Sequence, residues 1–210
     1  MSEDLFNDAS WLIASIMRGL MTFPEDIPGV QDVLMRIAEQ DLSAENFAPP
    51  QPQRLPGCRH LPEAVTAGVI VSMDLCHAIV SIEDQLHWMQ TEHYSDEAMG
   101  QPGYMDNTAF AEIIGASGLF KGDDFRMGLM LLGPGLHYID HYHAAPELYW
   151  LLTGPIEYSR GQGQFKPVGT ASTLWNKPNE VHAMKVGKRP LLAVWAWTRD
   201  VNQLPVLLST

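Results

Sequence analysis

Two histidines one residue apart, His141 and His143, are followed after three residues by Glu147, and Tyr149 lies two residues further on. Side chains two apart on a strand share a face, so the imidazole pair points one way together and Glu147 joins it after a short bend. Imidazole nitrogens with one carboxylate suit a divalent transition metal such as Zn, Fe, Mn or Ni, and they leave coordination positions open for water and substrate. On a continuing strand Tyr149 faces inward with Glu147, which sets its phenol beside the metal. A nearby cation favours the phenolate and lowers its pKa from about 10 toward the range of a general base. The plain alternative for Tyr149 is a buried barrel tyrosine with its hydroxyl hydrogen-bonded. Tyr138 lies on the approach to His141, in position to lean over the mouth of the same site.

A strand-rich framework is needed to hold these residues, and the sequence carries one. From about Phe125 the chain turns to short apolar or alternating segments punctuated by glycine and proline, among them FRMGLMLLGPG, ELYWLLTGPIEYSRG and LLAVWAWTR. Evenly spaced short strands with turn signals indicate a β-sandwich or barrel. Ahead of them the texture is helical. Apolar residues recur at helical spacing in Leu5, Leu12, Ile16 and Leu20 and again in Val30, Val33, Leu34 and Ile37, with Pro24 and Pro28 between the two runs. Residues 46–62 are too rich in proline for a helix or a central strand and read as a linker. Pro62, tolerated in a first helical turn, opens a stripe of Val65, Val69, Met73, Cys76 and Val80 that predicts one long helix to about His87. The expected organisation is a helical lobe over 1–104 and a barrel over 105–210.

The spacing from Gly135 through His141, His143 and Glu147 to Gly154 resembles the first cupin motif at every defined position. That resemblance implies a mainly β fold, a cupin jelly-roll or double-stranded β-helix. It also implies a fourth metal ligand from a second motif, for which His182, after Gly169 and Pro178, is the candidate. The second motif departs from the family pattern: the glycine after the proline is missing, the interval to the histidine is one residue short, and the trailing asparagine is absent. With Tyr149 and the helical lobe included, roughly the last ninety residues resemble the cupin-type dimethylsulfoniopropionate (DMSP) lyases. In that family the three histidines and the glutamate bind the metal, the tyrosine after the glutamate serves as base or extra ligand, and the products are dimethyl sulfide and acrylate. The resemblance implies β-elimination here, with Tyr149 removing the α-proton. A sulfonium cation is held well by aromatic faces, and Trp150, Trp175, Trp195 and Trp197 are concentrated in the barrel portion; Trp195 and Trp197, alternate on one strand, are substrate-contact candidates together with Tyr138. The same ligand set also serves iron-dependent cupin dioxygenases acting on a small acid or thiol, and a non-catalytic ligand-binding cupin is a third reading.

Composition narrows the partners. A formal net charge of -12 without a run of lysine or arginine argues against nucleic acid and against an anionic membrane surface, and is compatible with a small, even cationic, substrate. The N-terminal stretch lacks a basic region before its apolar residues, and no apolar run approaches the ~20 residues of a membrane span, so the expectation is a cytoplasmic protein. Cys58 and Cys76 lie outside the ligand spacing and read as ordinary thiols, and His60, His77, His87 and His93 lack mutual ligand spacing. The helical lobe is free, from sequence, either to cover the barrel mouth or to supply a homodimer surface.

Overall fold

The computed structural model describes residues 3–208. Four α-helices come first among these residues: α1 (Glu3–Leu20), α2 (Val30–Glu39), α3 (Leu61–Gly68) and α4 (Met73–Ile82). Eleven strands follow: β1 (Trp88–Met89), β2 (Thr108–Ile114), β3 (Arg126–Leu132), β4 (His137–Tyr142), β5 (Glu147–Leu151), β6 (Ile156–Arg160), β7 (Lys166–Val168), β8 (Thr173–Asn176), β9 (His182–Val186), β10 (Leu191–Trp197) and β11 (Val206–Leu207). They form two sheets, one ordered β1-β2-β3-β10-β5-β8 and the other β11-β4-β9-β6-β7, with every pairing of named strands antiparallel. This is the double-stranded β-helix of the cupins.

The helices lie on the outer face of the six-stranded sheet. One core joins Leu12, Ile16, Leu20, Val33, Ile37, Leu61, Leu75 and Ile79 to the outward side chains of β2, β3, β5 and β10, such as Ala111, Leu129, Trp150 and Val194. The alternate residues of the same strands, Met130, Tyr149, Trp195 and Trp197 among them, belong to a second cluster lining the lumen. Strands covered on both faces bury every residue, which explains why β5 and β10 read as continuous apolar runs rather than as alternation. Trp150 therefore faces the helices, where Phe23 meets its ring edge-on at 6.1 Å. A Cβ on Gly19 of α1 would land inside the Trp150 ring, so only glycine lets α1 approach this closely.

Two expectations are corrected. The long third helix is in fact two, because the chain turns at Val69–Ser72 and restarts with the Ser72 side chain accepting from Leu75 N. The apolar stripe was real, but Val69, Met73 and Val80 are exposed rather than core. The barrel sheet also reaches back before residue 105, with β1 inside the stretch expected to be helical, while β2 lies within the expected barrel and pairs along most of β3. In the proline-rich stretch, Phe47 bridges to Phe120 and Gln53 to His87, and residues 56–60 form a 3-10 turn. Both cysteines are free and buried. No described helix is long and apolar enough to cross a membrane.

Candidate metal centre and lumen

Four side chains converge at one end of the lumen. His141 lies near the end of β4 opposite His182 at the start of β9, His143 is one residue beyond β4, and Glu147 opens β5. All four are at most 3% exposed. His143 Nε2 lies 3.1 Å, and His182 Nε2 3.2 Å, from the same oxygen, Glu147 Oε2. The imidazoles of His141, His143 and His182 offer nitrogens within 4.8 Å of one another, a grouping that could hold a metal ion.

The backbone sets the tautomers. Nδ1 of His141, His143 and His182 lies 2.8 Å from the carbonyls of Ile139, Ala145 and Glu180 respectively. A carbonyl only accepts, so each Nδ1 carries the proton, and in the neutral ring each Nε2 presents its lone pair to the shared centre. Lone pairs aimed at a carboxylate oxygen repel it unless a cation or a proton stands between them. His182 Nε2 has no good hydrogen-bond partner although it is buried. The donor set, the fixed tautomers and this orphaned nitrogen fit a divalent cation.

Glu147 is held from several directions. Its Oε1 accepts from Trp197 Nε1 at 2.7 Å, and its Oε2 from Asn176 Nδ2 at 3.2 Å. Asn176 is in turn fixed by the Tyr158 hydroxyl, which donates to its Oδ1 at 2.5 Å. Burial would raise the Glu147 carboxyl, but positive charge at the point it shares with His143 and His182 would hold it well below the ordinary range, a charge that a bound divalent cation would supply while the rings stay neutral. His141 is pushed well below its usual value, first by burial and then by His182. Around the centre stand phenols that keep their protons. Burial, followed by the charge of Glu147, pushes Tyr149 well above 10, and burial likewise raises Tyr138.

The lumen opens from this centre as a cavity of about 290 Å³, and Tyr138, Tyr149, Trp195 and Trp197 all line it. Trp175 instead packs at the helical side, where a Cβ on Gly29 would strike its ring. Tyr138 stacks flat on His141 with ring centroids 4.0 Å apart, so it forms the floor beside the centre more than a cover over it. Its hydroxyl shares a 2.8 Å hydrogen bond with that of Tyr94. The cavity lining includes Met89–Glu92, Ser117, Leu204 and Pro205 and no residue of α1–α4. Of the two roles left open for the 1–104 lobe, its helices take no part in covering the mouth, since their apolar face is spent on the outside of the sheet, whereas Met89–Glu92 of the same lobe line the cavity.

Sequence reasoning missed Tyr94, Asn176, Glu112 and Arg126. Tyr94 comes from the segment between β1 and β2, where nothing periodic marks it. Asn176 faces inward only because β8 pairs with β5 in the register Glu147↔Asn176. A carboxylate in an apolar strand, Glu112 in TAFAEII, was the one visible signal among the four.

Comparison with known proteins matches this picture. A family model described as dimethylsulfoniopropionate lyase matches residues 30–193. The chain is 29% identical over 104 residues to dimethylsulfoniopropionate lyase DddQ of Ruegeria pomeroyi, a match covering 50% of this chain and 52% of that protein, about half the length of the relative. A chain from the crystal structures of the DMSP lyases RdDddP and RnDddQII superposes with a TM-score of 0.77 at 20% identity, over 97% of this chain and 98% of that one. The DddQ crystal structure from Ruegeria pomeroyi DSS-3 gives 0.69 at 20% identity, over 98% and 97%. At that identity the structural likeness establishes the fold.

Proposed function

This chain belongs to the dimethylsulfoniopropionate lyase family, and from that premise we propose that it cleaves DMSP to dimethyl sulfide and acrylate by β-elimination. The observation that carries the reading is the convergence of His141, His143, His182 and Glu147 on one point, with the Tyr149 phenol on the same wall.

In this reading His141, His143, Glu147 and His182 are the ligands of a divalent transition metal, among Zn, Fe, Mn and Ni. The bound cation supplies a Lewis acid for the substrate carboxylate, which acidifies the adjacent α-carbon. Tyr149 is the base: its phenolate oxygen takes the α-proton, the released electron pair forms the carbon–carbon double bond, and the β-carbon–sulfur bond breaks to release neutral dimethyl sulfide. Burial holds the phenol proton in place first and the Glu147 charge second, with Tyr158, a hydrogen bond to Glu147 and Tyr94 adding to them. Ligation of a cation by Glu147 offsets the second, and burial sets how much further the pKa must fall. Tyr138, stacked on His141, and the Trp195 and Trp197 rings give the substrate aromatic walls in a small cavity.

The test is headspace detection of dimethyl sulfide after DMSP is mixed with metal-loaded protein. Release should stop on chelation and in His143→Ala. Tyr149→Phe should lose about 10²–10⁴-fold in turnover while keeping its metal. Full activity in Tyr149→Phe refutes the assigned base, and oxygen consumption under Fe(II) without sulfide release refutes the lyase reading.

A further inference from the structure

We infer that Glu112 forms an onium subsite, the carboxylate that seats the cationic end of a small substrate whose own carboxylate is held at the histidine centre. The inference rests on the lumen being the substrate site, and it names a specificity residue outside the expected ligands and base.

Glu112 occupies the lumen wall in one ladder row with Gly128 of β3, Trp195 of β10 and Tyr149 of β5. Adjacent strands are ~4.8 Å apart, so three spacings along a curving wall separate the Tyr149 and Glu112 backbones. Two inward-reaching side chains shorten that gap toward the length of a molecule whose carboxylate and onium are two carbons apart. Gly128, between Glu112 and Trp195, contributes no side chain to obstruct the path.

The carboxylate is buried yet poorly satisfied. Glu112 is 6% exposed and lines the cavity. Its Oε2 accepts from Ser117 N at 2.8 Å. Its Oε1 has Arg126 Nη1 at 3.5 Å, too long for a strong charge-assisted bond. A carboxylate can accept about four hydrogen bonds, and holding one with so few partners in a low-dielectric wall is costly unless something else completes it. Burial correspondingly raises its pKa, an effect that Ser117, Arg126 and the charge of Lys121 only counter.

The charges around the lumen favour a cation. With Glu147 committed to the histidine centre, Glu92 and Glu112 remain on the lining against the single guanidinium of Arg126. Arg126 stands over the Trp197 ring at 5.9 Å, in the neighbouring row Arg126–Trp197–Glu147. Its charge counts against an onium there and directs the cationic group to the Trp195 side, where an aromatic face and the Glu112 carboxylate are both in reach.

A matched pair of ligands tests this by calorimetry on the metal-loaded protein: 3-(trimethylammonio)propionate and its neutral isostere 4,4-dimethylpentanoate. Wild type should bind the cation at least about tenfold more tightly. Glu112→Gln should raise the cation's Kd at least about tenfold and change the isostere's by less than about twofold, and Glu112→Asp should keep part of the preference. Equal binding of the two ligands by wild type overturns the subsite without recourse to any variant. Equal weakening of both ligands in Glu112→Gln also overturns it, because that is the signature of a merely structural role at the Ser117 turn. Sulfide release run in parallel separates the two claims. Release with no Glu112 dependence removes the subsite alone, and cation preference without release removes the lyase reading alone.

Discussion

Trp197→Phe isolates the support that Glu147 receives from outside the histidine cluster. The indole Nε1 donates to Glu147 Oε1 at 2.7 Å, and this is the hydrogen bond seen at that oxygen. The ring also lies against His143, with centroids 4.4 Å apart. Phenylalanine keeps a smaller aromatic body against the imidazole and deletes the donor. Hydrogen bonds to a charged group contribute about 1.5–3 kcal/mol, and loss of the donor leaves a buried anionic oxygen unpartnered. At ~1.4 kcal/mol per decade this corresponds to a roughly 10–100-fold loss of metal affinity, the scale usual for partners that orient metal ligands. The assay is competition against a chelator of known affinity, with thermal unfolding of the metal-free protein to show that the variant folds. Unchanged affinity in a folded Trp197→Phe protein would refute the argument that this indole orients Glu147.

Gly19→Ala should destabilise the protein by about 1–3 kcal/mol, measured by denaturant unfolding, because the added methyl must displace the buried Trp150 ring. Cys76, pushed up to about 11 by burial, should remain almost wholly a thiol at pH 8 and react with a thiol reagent far more slowly than the unfolded chain. Glu112 carries a pH signature of its own, since burial raises its folded-state pKa. A carboxyl raised in this way binds its proton more tightly when folded, so its contribution is full below the unfolded value of about 4.3 and is lost as pH rises through the folded value. The stability difference between wild type and Glu112→Gln should therefore move in the variant's favour over that rise. A pH-independent difference would count against burial as the cause.

The residues able to do chemistry were largely legible in the chain, because ligand spacing is a local property. His141 and His143 share a face through the two-residue period of a strand, and Tyr149 follows Glu147 inward for the same reason. The resemblance to cupins also singled out His182, whose pairing with His141 is a matter of register. The helical and strand-rich halves were likewise visible in periodicity and turn signals. The break at Val69–Ser72 was not, because an apolar stripe persists across a turn and is silent about which of its residues find a core.

Tertiary structure alone decided what surrounds the centre. That Asn176 and Trp197 hold Glu147, that Tyr94 reaches Tyr138, and that Glu112 and Arg126 face the same cavity all depend on which strands neighbour one another. So does the placement of Trp150 on the outer face and Trp195 in the lumen, and of the helices on the sheet rather than over its mouth. A sequence specifies its side-chain types and their short-range periods; contacts between strands tens of residues apart follow from sheet order and register, which only the packed barrel fixes.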